Sequence, residues 1–403
     1  MDLTSGSLEY TVVVAAVLCV VLTVWGWPRL AGRGLLPVLG RLASIAVTQL
    51  ALVCALALAV NSAFEFYGSW NELLGRNEQA PVSVTHQTGP DGNRETVAGA
   101  RRGLVQAAGP QGLDRVDGLP AGPPDKAGKV ESVRIMGRRT RVVNPAFVYL
   151  PPQYFQRQFR RQRFPVIVAI SGYPGGITNL ARYLRVPQTA GRLIARHAMQ
   201  PTVVVMIRPT IAPPRDTECV DVPGGPQAET FFTKDLPDAL KSVYRVGHDP
   251  SAWGALGYSS GGTCALQLAL RNPGVYTSAV AMSADYRVTD DLTTGSLFGS
   301  GPRAAQRRRE HDLLWRLKHL PTPRVSVLVA SSRQGEPDYA DTMRFVRAAR
   351  PPMTVDSIIL PRGSHHFTTW RREITPAMEW MGSMLTFPQD VAPRPRRSAR
   401  TSP

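Results

Sequence analysis

The chain has only four cysteines and seven histidines among 403 residues, and none of them stand at a CxxC or HxxxH spacing. That excludes the zinc sites that are legible as local spacings. Also missing are a zinc-finger, RNP or basic-helix signature, an internal repeat and a heptad pattern. Without them, the formal charge of +17 does not point to a nucleic-acid partner. The positive charge is almost all arginine and is spread along the whole chain, which fits a GC-rich genome better than a binding face.

Long hydrophobic runs are present, and both lie near the N-terminus. "YTVVVAAVLCVVLTVWGW", residues 10–27, is uncharged and close to the length that crosses a bilayer. A second uncharged run, "LASIAVTQLALVCALALAV", covers residues 42–60, with Phe64, Phe66, Tyr67 and Trp70 beyond it where an interfacial belt would stand. The connection carries Arg29, Arg33 and Arg41 and no acid, whereas Asp2 and Glu9 precede the first run. The positive-inside rule then puts the connection in the cytoplasm and both flanks outside. A cleaved signal peptide fits the first run less well, because its leading residues are acidic rather than basic. Residues 1–70 are thus expected to form a two-helix anchor with the bilayer as partner. A flexible Gly/Pro-rich linker is expected over 71–128, a folded domain over 129–387 and a basic, solvated tail over 388–403.

From Val130 onward, short β-branched runs alternate with amphipathic ones. "VESVRIMG" and "AFVYLPP" predict an antiparallel pair. "VIVAI", "TVVVMI", "AWGALGY", "SAVAMS", "RVSVLVASS" and "DSIIL" predict buried strands separated by helical stretches. Repeated strand–helix–strand units mean a mostly parallel sheet covered on both faces, with its chemistry in loops beyond the carboxyl ends of the strands.

One such loop reads "GYSSGG", and G-x-S-x-G fits it in a single frame that centres Ser259. A strand runs in and a helix runs out, which is the sharp turn that exposes a serine hydroxyl above a sheet. The Ser260 amide at the helix start would then face a developing oxyanion, and a second donor is expected from the glycine-rich "SGYPGG" at Tyr173. A nucleophilic serine needs a base. "GSHHF" after the last strand offers His365, with His366 as its rival. The orienting acid is expected after "RVSVLVASS", where Glu336 is preferred to Asp338 and Asp341; Asp285 follows the other strand end from which it could come. Cys219 and Cys264 could pair in an oxidising compartment or remain buried thiols. Arg215, Asp216, Glu218 and Asp221, in the long loop after "TVVVMI", are candidate substrate contacts, or parts of an ordered loop held by Cys219.

Residues 130–387 resemble the esterase D type of α/β-hydrolase, which includes S-formylglutathione hydrolases, feruloyl esterases and mycobacterial mycolyltransferases. The resemblance rests on "FVYLPPQYF", "SGYPGG", "GYSSGGTCALQLALRNPGVYTSAVAMSADY" and "GSHHFTTW". The last is similar to the family's Gly-x-His-x-aromatic-x-x-Trp motif and so favours His365. Two spans ahead of such a domain look like the membrane-anchored esterases of actinobacteria. The resemblance implies an α/β-hydrolase fold and a carboxylic ester hydrolase acting through an acyl-enzyme, with an acyl ester as substrate and no metal or organic cofactor. It also implies an acyltransferase as the alternative, moving an acyl chain to a cell-envelope acceptor. A catalytically dead binding protein is the reading from another class.

Overall fold

The structure is a computed structural model that describes residues 6–32, 34–64, 103–108 and 122–388. Most of the expected linker lies outside these residues, as do the tail beyond Pro388, Asp2, Arg33, Phe66, Tyr67 and Trp70.

Two N-terminal helices, Gly6–Gly26, which a tighter helical turn at Trp27–Leu30 continues, and Leu35–Phe64, give segments long and apolar enough to cross a membrane, at Leu8–Leu30 and Leu35–Asn61. The second starts seven residues before the expected run at 42, because Pro37 falls within the first turn, where a missing N–H costs nothing. The two helices touch through a Thr23–Thr48 hydroxyl pair at 2.8 Å, and Thr48 also donates to the Cys19 carbonyl. Small hydroxyl residues of this kind let two apolar helices approach and bond.

The remainder is built on a nine-stranded sheet. Its strands are β1 Val105–Ala107, β2 Lys129–Met136, β3 Val143–Leu150, β4 Val166–Ile170, β5 Val203–Ile207, β6 Trp253–Tyr258, β7 Ser278–Met282, β8 Ser326–Ser332 and β9 Thr354–Leu360. Their spatial order is β1-β2-β3-β5-β4-β6-β7-β8-β9. The first three run antiparallel onto β5, and the rest are parallel. The strands β4 to β7 are buried along their whole length, as expected where helices cover both faces. From β4 the chain passes to β5 on one side, then returns across to β6 on the other. The carboxyl ends of β4 and β6 therefore flank a topological switch point, where open α/β sheets carry their sites.

Some local expectations are corrected. Within the stretch expected to be linker, Val105–Ala107 is an edge strand on β2; three residues are too few to show an alternating pattern, and the free edge of β2 supplies the pairing. The helix expected between β4 and β5 is split into a turn at Asn179–Tyr183 and a helix Val186–Ala195, with Arg185 at φ 56° between them. The helical insert before β8 is likewise two pieces, Pro302–Glu310 and Leu313–His319. The Asp312 side chain caps the second by accepting from the Trp315 N–H.

Candidate active site

β6 ends at Tyr258, and the helix Ser260–Arg271 starts two residues later. So abrupt a turn requires main chain to pass close to main chain. A Cβ on Gly257 would lie 2.2 Å from the Gly261 oxygen, and one on Gly261 would lie 2.3 Å from the Ile170 oxygen at the end of β4. Only glycine fits at either place. Between them Ser259 has φ 55° and ψ −132°, a conformation that costs a residue with a side chain roughly 1–3 kcal/mol. Its N–H donates to the Met282 carbonyl of β7 at 2.9 Å, which helps hold the strained residue in place.

His365, in the loop between β9 and the helix Phe367–Met384, brings Nε2 to 2.9 Å from Ser259 Oγ. Its Nδ1 lies 3.6 Å from Glu336 Oε2, whose side chain is fully buried in the loop after β8. The other carboxylate oxygen of Glu336 accepts from the Ser283 hydroxyl at 2.8 Å. Ser283 Oγ in turn accepts from Trp370 Nε1 at 2.9 Å, and the Trp370 ring meets the His365 ring edge-on at 5.1 Å. Serine hydroxyl, imidazole and buried carboxylate thus stand in line, and the acid is fixed from behind.

The rival residues are placed differently from one another. His366 turns away and caps the last helix, its Nδ1 accepting from the Thr368 N–H. Asp338 is close to the His365 and Glu336 side chains; burial, reinforced by Asp285, pushes its carboxyl up to about 6. Asp341 pairs with Arg344 on the surface, and Asp285 is exposed. Among the described residues, Glu336, Asp338 and His365 place one ligand atom each within 4.8 Å of one another, a spacing that would also suit a cation. The bond from His365 to Ser259 favours an acid–base role for the imidazole instead.

On the far side of Ser259, the Tyr173 amide donates to the Ser260 hydroxyl at 2.7 Å. The expected oxyanion donor is therefore engaged in this structure. The Ser260 hydroxyl lies beside the Asp216 carboxyl, which is 2% exposed; burial raises that carboxyl to about 6, opposed by the hydrogen bond from the Glu218 N–H and by the neighbouring Ser260 hydroxyl. Cys219 and Cys264 are disulfide-bonded, with their Cα atoms 5.3 Å apart, which ties the loop carrying Asp216 to the helix carrying Ser260. Of the other polar residues expected in that loop, Arg215 donates to the Thr294 and Ser296 carbonyls and Asp221 accepts from Thr230. Both hold the loop together rather than facing Ser259.

Sequence reasoning did not find Ser283, Asp216 as a neighbour of Ser260, or Glu373. Ser283 follows a strand end, a position that could have flagged it. Glu373 lies inside the last helix, fully buried, with both carboxylate oxygens unpartnered; burial, reinforced by Glu336, raises it to about 8.

Similarity to known proteins agrees with this architecture. The family described as "Putative esterase" matches residues 135–381. An uncharacterized protein of Corynebacterium glutamicum is 26% identical over 245 residues, and the match covers 59% of this chain and 56% of that protein. The chain thus spans about half the length of the curated relative it matches. Among solved structures, a ferulic acid esterase superposes with a TM-score of 0.54 at 19% identity, covering 65% of this chain and all of that one. An S-formylglutathione hydrolase of Agrobacterium tumefaciens gives 0.52 at 16%, covering 66% and 98%. A fluorophosphonate-binding serine hydrolase of Staphylococcus aureus gives 0.51 at 16%, covering 65% and 99%. At these identities the superpositions speak for the fold, an α/β-hydrolase, and the family match for the chemistry. The chain belongs to this esterase family.

Proposed function

We propose that the protein is a membrane-anchored serine esterase that works through an acyl-enzyme, with Ser259 as nucleophile, His365 as base and Glu336 as the acid that orients it. The observation that carries this reading is the 2.9 Å contact between Ser259 Oγ and His365 Nε2, with a buried carboxylate on the opposite ring nitrogen. Ser259 Oγ adds to the ester carbonyl as His365 Nε2 takes its proton, and that proton then goes to the departing alkoxide. Water repeats the sequence on the acyl-enzyme: His365 takes a proton from it, the acid is released and the serine hydroxyl is restored. Glu336 holds the imidazolium formed in each half. Its 3.6 Å separation from Nδ1 is of the kind that tightens once the ring is charged. The amide of Ser260, at the first residue of its helix, and that of Tyr173 are the donors offered to the oxyanion.

The arginines of the connection between the two apolar helices, and the acid-free character of that connection, support a cytoplasmic hairpin turn and a catalytic domain outside the membrane. The Cys219–Cys264 bond suits the same oxidising side.

The test is fluorophosphonate labelling of the full chain in detergent. Wild type should take up the probe and Ser259→Ala should not. An unlabelled wild type that still hydrolyses p-nitrophenyl acetate would overturn the serine reading.

A further inference from the structure

The second serine of the pair has a place of its own. Ser260 lies four residues before Cys264 on one helix, so the two share a face, and Asp216 lies three residues before Cys219 on the facing loop. The disulfide therefore sets the loop carboxylate opposite the helix hydroxyl. The Glu218 N–H orients that carboxylate by donating to Asp216 Oδ1 at 2.9 Å. Tyr173 is held from the same loop, its phenol donating to the Pro214 carbonyl at 2.8 Å, while its amide donates to Ser260 Oγ. Ser260 Oγ thus accepts from the Tyr173 amide with the Asp216 carboxyl beside it, and with an exposure of only 8% it has little water to exchange with.

We propose that the Ser260 hydroxyl is a latch on the oxyanion site, held closed by Asp216, and that an ester engages the Tyr173 amide only by displacing it. The inference rests on the serine-esterase reading above, and makes Ser260 and Asp216 positioning residues. No covalent step involves them. The Tyr173 N–H exchanges one acceptor, the Ser260 hydroxyl, for another, the oxygen of the substrate carbonyl. The latch weighs against the tetrahedral adduct and its mimics, because these need the amide most strongly.

The test compares wild type, Ser260→Ala, Ser260→Thr and Asp216→Asn as full chains in detergent. Three quantities are read: the fluorophosphonate labelling rate, kcat/KM for p-nitrophenyl acetate, and inhibition by an alkyl boronic acid, whose tetrahedral adduct mimics the oxyanion. Removing the hydroxyl in Ser260→Ala should raise labelling and kcat/KM by about 3- to 10-fold and tighten the boronate by a similar factor. Ser260→Thr keeps a hydroxyl and should return all three toward wild type, and Asp216→Asn should fall between. A Ser260→Ala that is slower, or that binds boronate more weakly, would make the hydroxyl an oxyanion donor and overturn the latch; so would one indistinguishable from wild type. These outcomes are separable from failure of the underlying reading, which would show as labelling that persists in Ser259→Ala.

Discussion

Two adjacent serines each face a buried carboxylate brought by a different loop. On the β8 side, Glu336 reaches Ser259 through an imidazole; on the β5 side, the Asp216 carboxyl lies beside Ser260 with no group between them. The difference lies in the intermediary. An imidazole can take a proton at one nitrogen while a carboxylate steadies the other, so the hydroxyl it faces can become a nucleophile. A hydroxyl with only a carboxyl beside it faces what is ordinarily a weaker base than an imidazole, and Ser260 Oγ is engaged as an acceptor from the Tyr173 amide, so it is positioned rather than activated. Chain direction differs as well. Ser259 sits at a left-handed turn between strand and helix, while Ser260 is already helical.

The contrast can be broken most completely at Ser259. On the proposed reading, Ser259→Ala should lower kcat/KM by roughly 10⁴-fold or more, measured with p-nitrophenyl acetate. Next comes the identity of the acid. Glu336→Gln should cost roughly 10²- to 10⁴-fold in kcat, whereas Asp338→Asn should cost less than about tenfold. The reverse ranking would transfer the orienting role to Asp338.

Reducing the Cys219–Cys264 bond is expected to affect the Asp216 side more than the Glu336 side. The bond closes a sequence separation of 45 residues, worth about 4 kcal/mol in the chain-entropy account. A Cys219→Ser/Cys264→Ser variant should melt about 8–16 °C lower. Its Ser260→Ala derivative should gain less in labelling rate than the same change gives in the bonded chain.

The smallest effect concerns Glu373, behind the Glu336 carboxylate. Its folded-state value of about 8 lies above that of an ordinary glutamate. Below about pH 4.5 both folded and unfolded chains hold the proton, and from there to about pH 8 the folded chain alone keeps it. Stability from this group is therefore present in acid and is lost as pH rises toward 8. Glu373→Gln removes the dependence, so its melting temperature should exceed that of wild type by several degrees at pH 8 and by little at pH 5. Equal differences at the two pH values would sink this account.

The strands of the parallel sheet were legible in the sequence because each is a short β-branched run, and so was the turn at Ser259, where strand, glycines and helix adjoin. The edge strand at Val105 was not, being too short for a pattern. Choosing among Glu336, Asp338, Asp341 and Asp285 was beyond spacing alone, since all four follow strand ends on one side of the sheet. What distinguishes Glu336 is a fully buried side chain and a bond from Ser283, both products of packing. The Asp216–Ser260 contact joins residues 44 apart in sequence through an irregular loop, and no periodicity announces such a meeting.

The crowding around the turn has a further implication, for how such a protein can vary. A side chain on Gly257 or Gly261 would collide with main chain, and one on Gly262 would press on Ala284 at 3.0 Å. With 259 committed to the nucleophile on the proposed reading, position 260 is the one place between 257 and 262, apart from the core residue Tyr258, that already holds a side chain free to be exchanged. Natural variation that retunes this esterase, or a laboratory library meant to do so, is thereby channelled into a single codon.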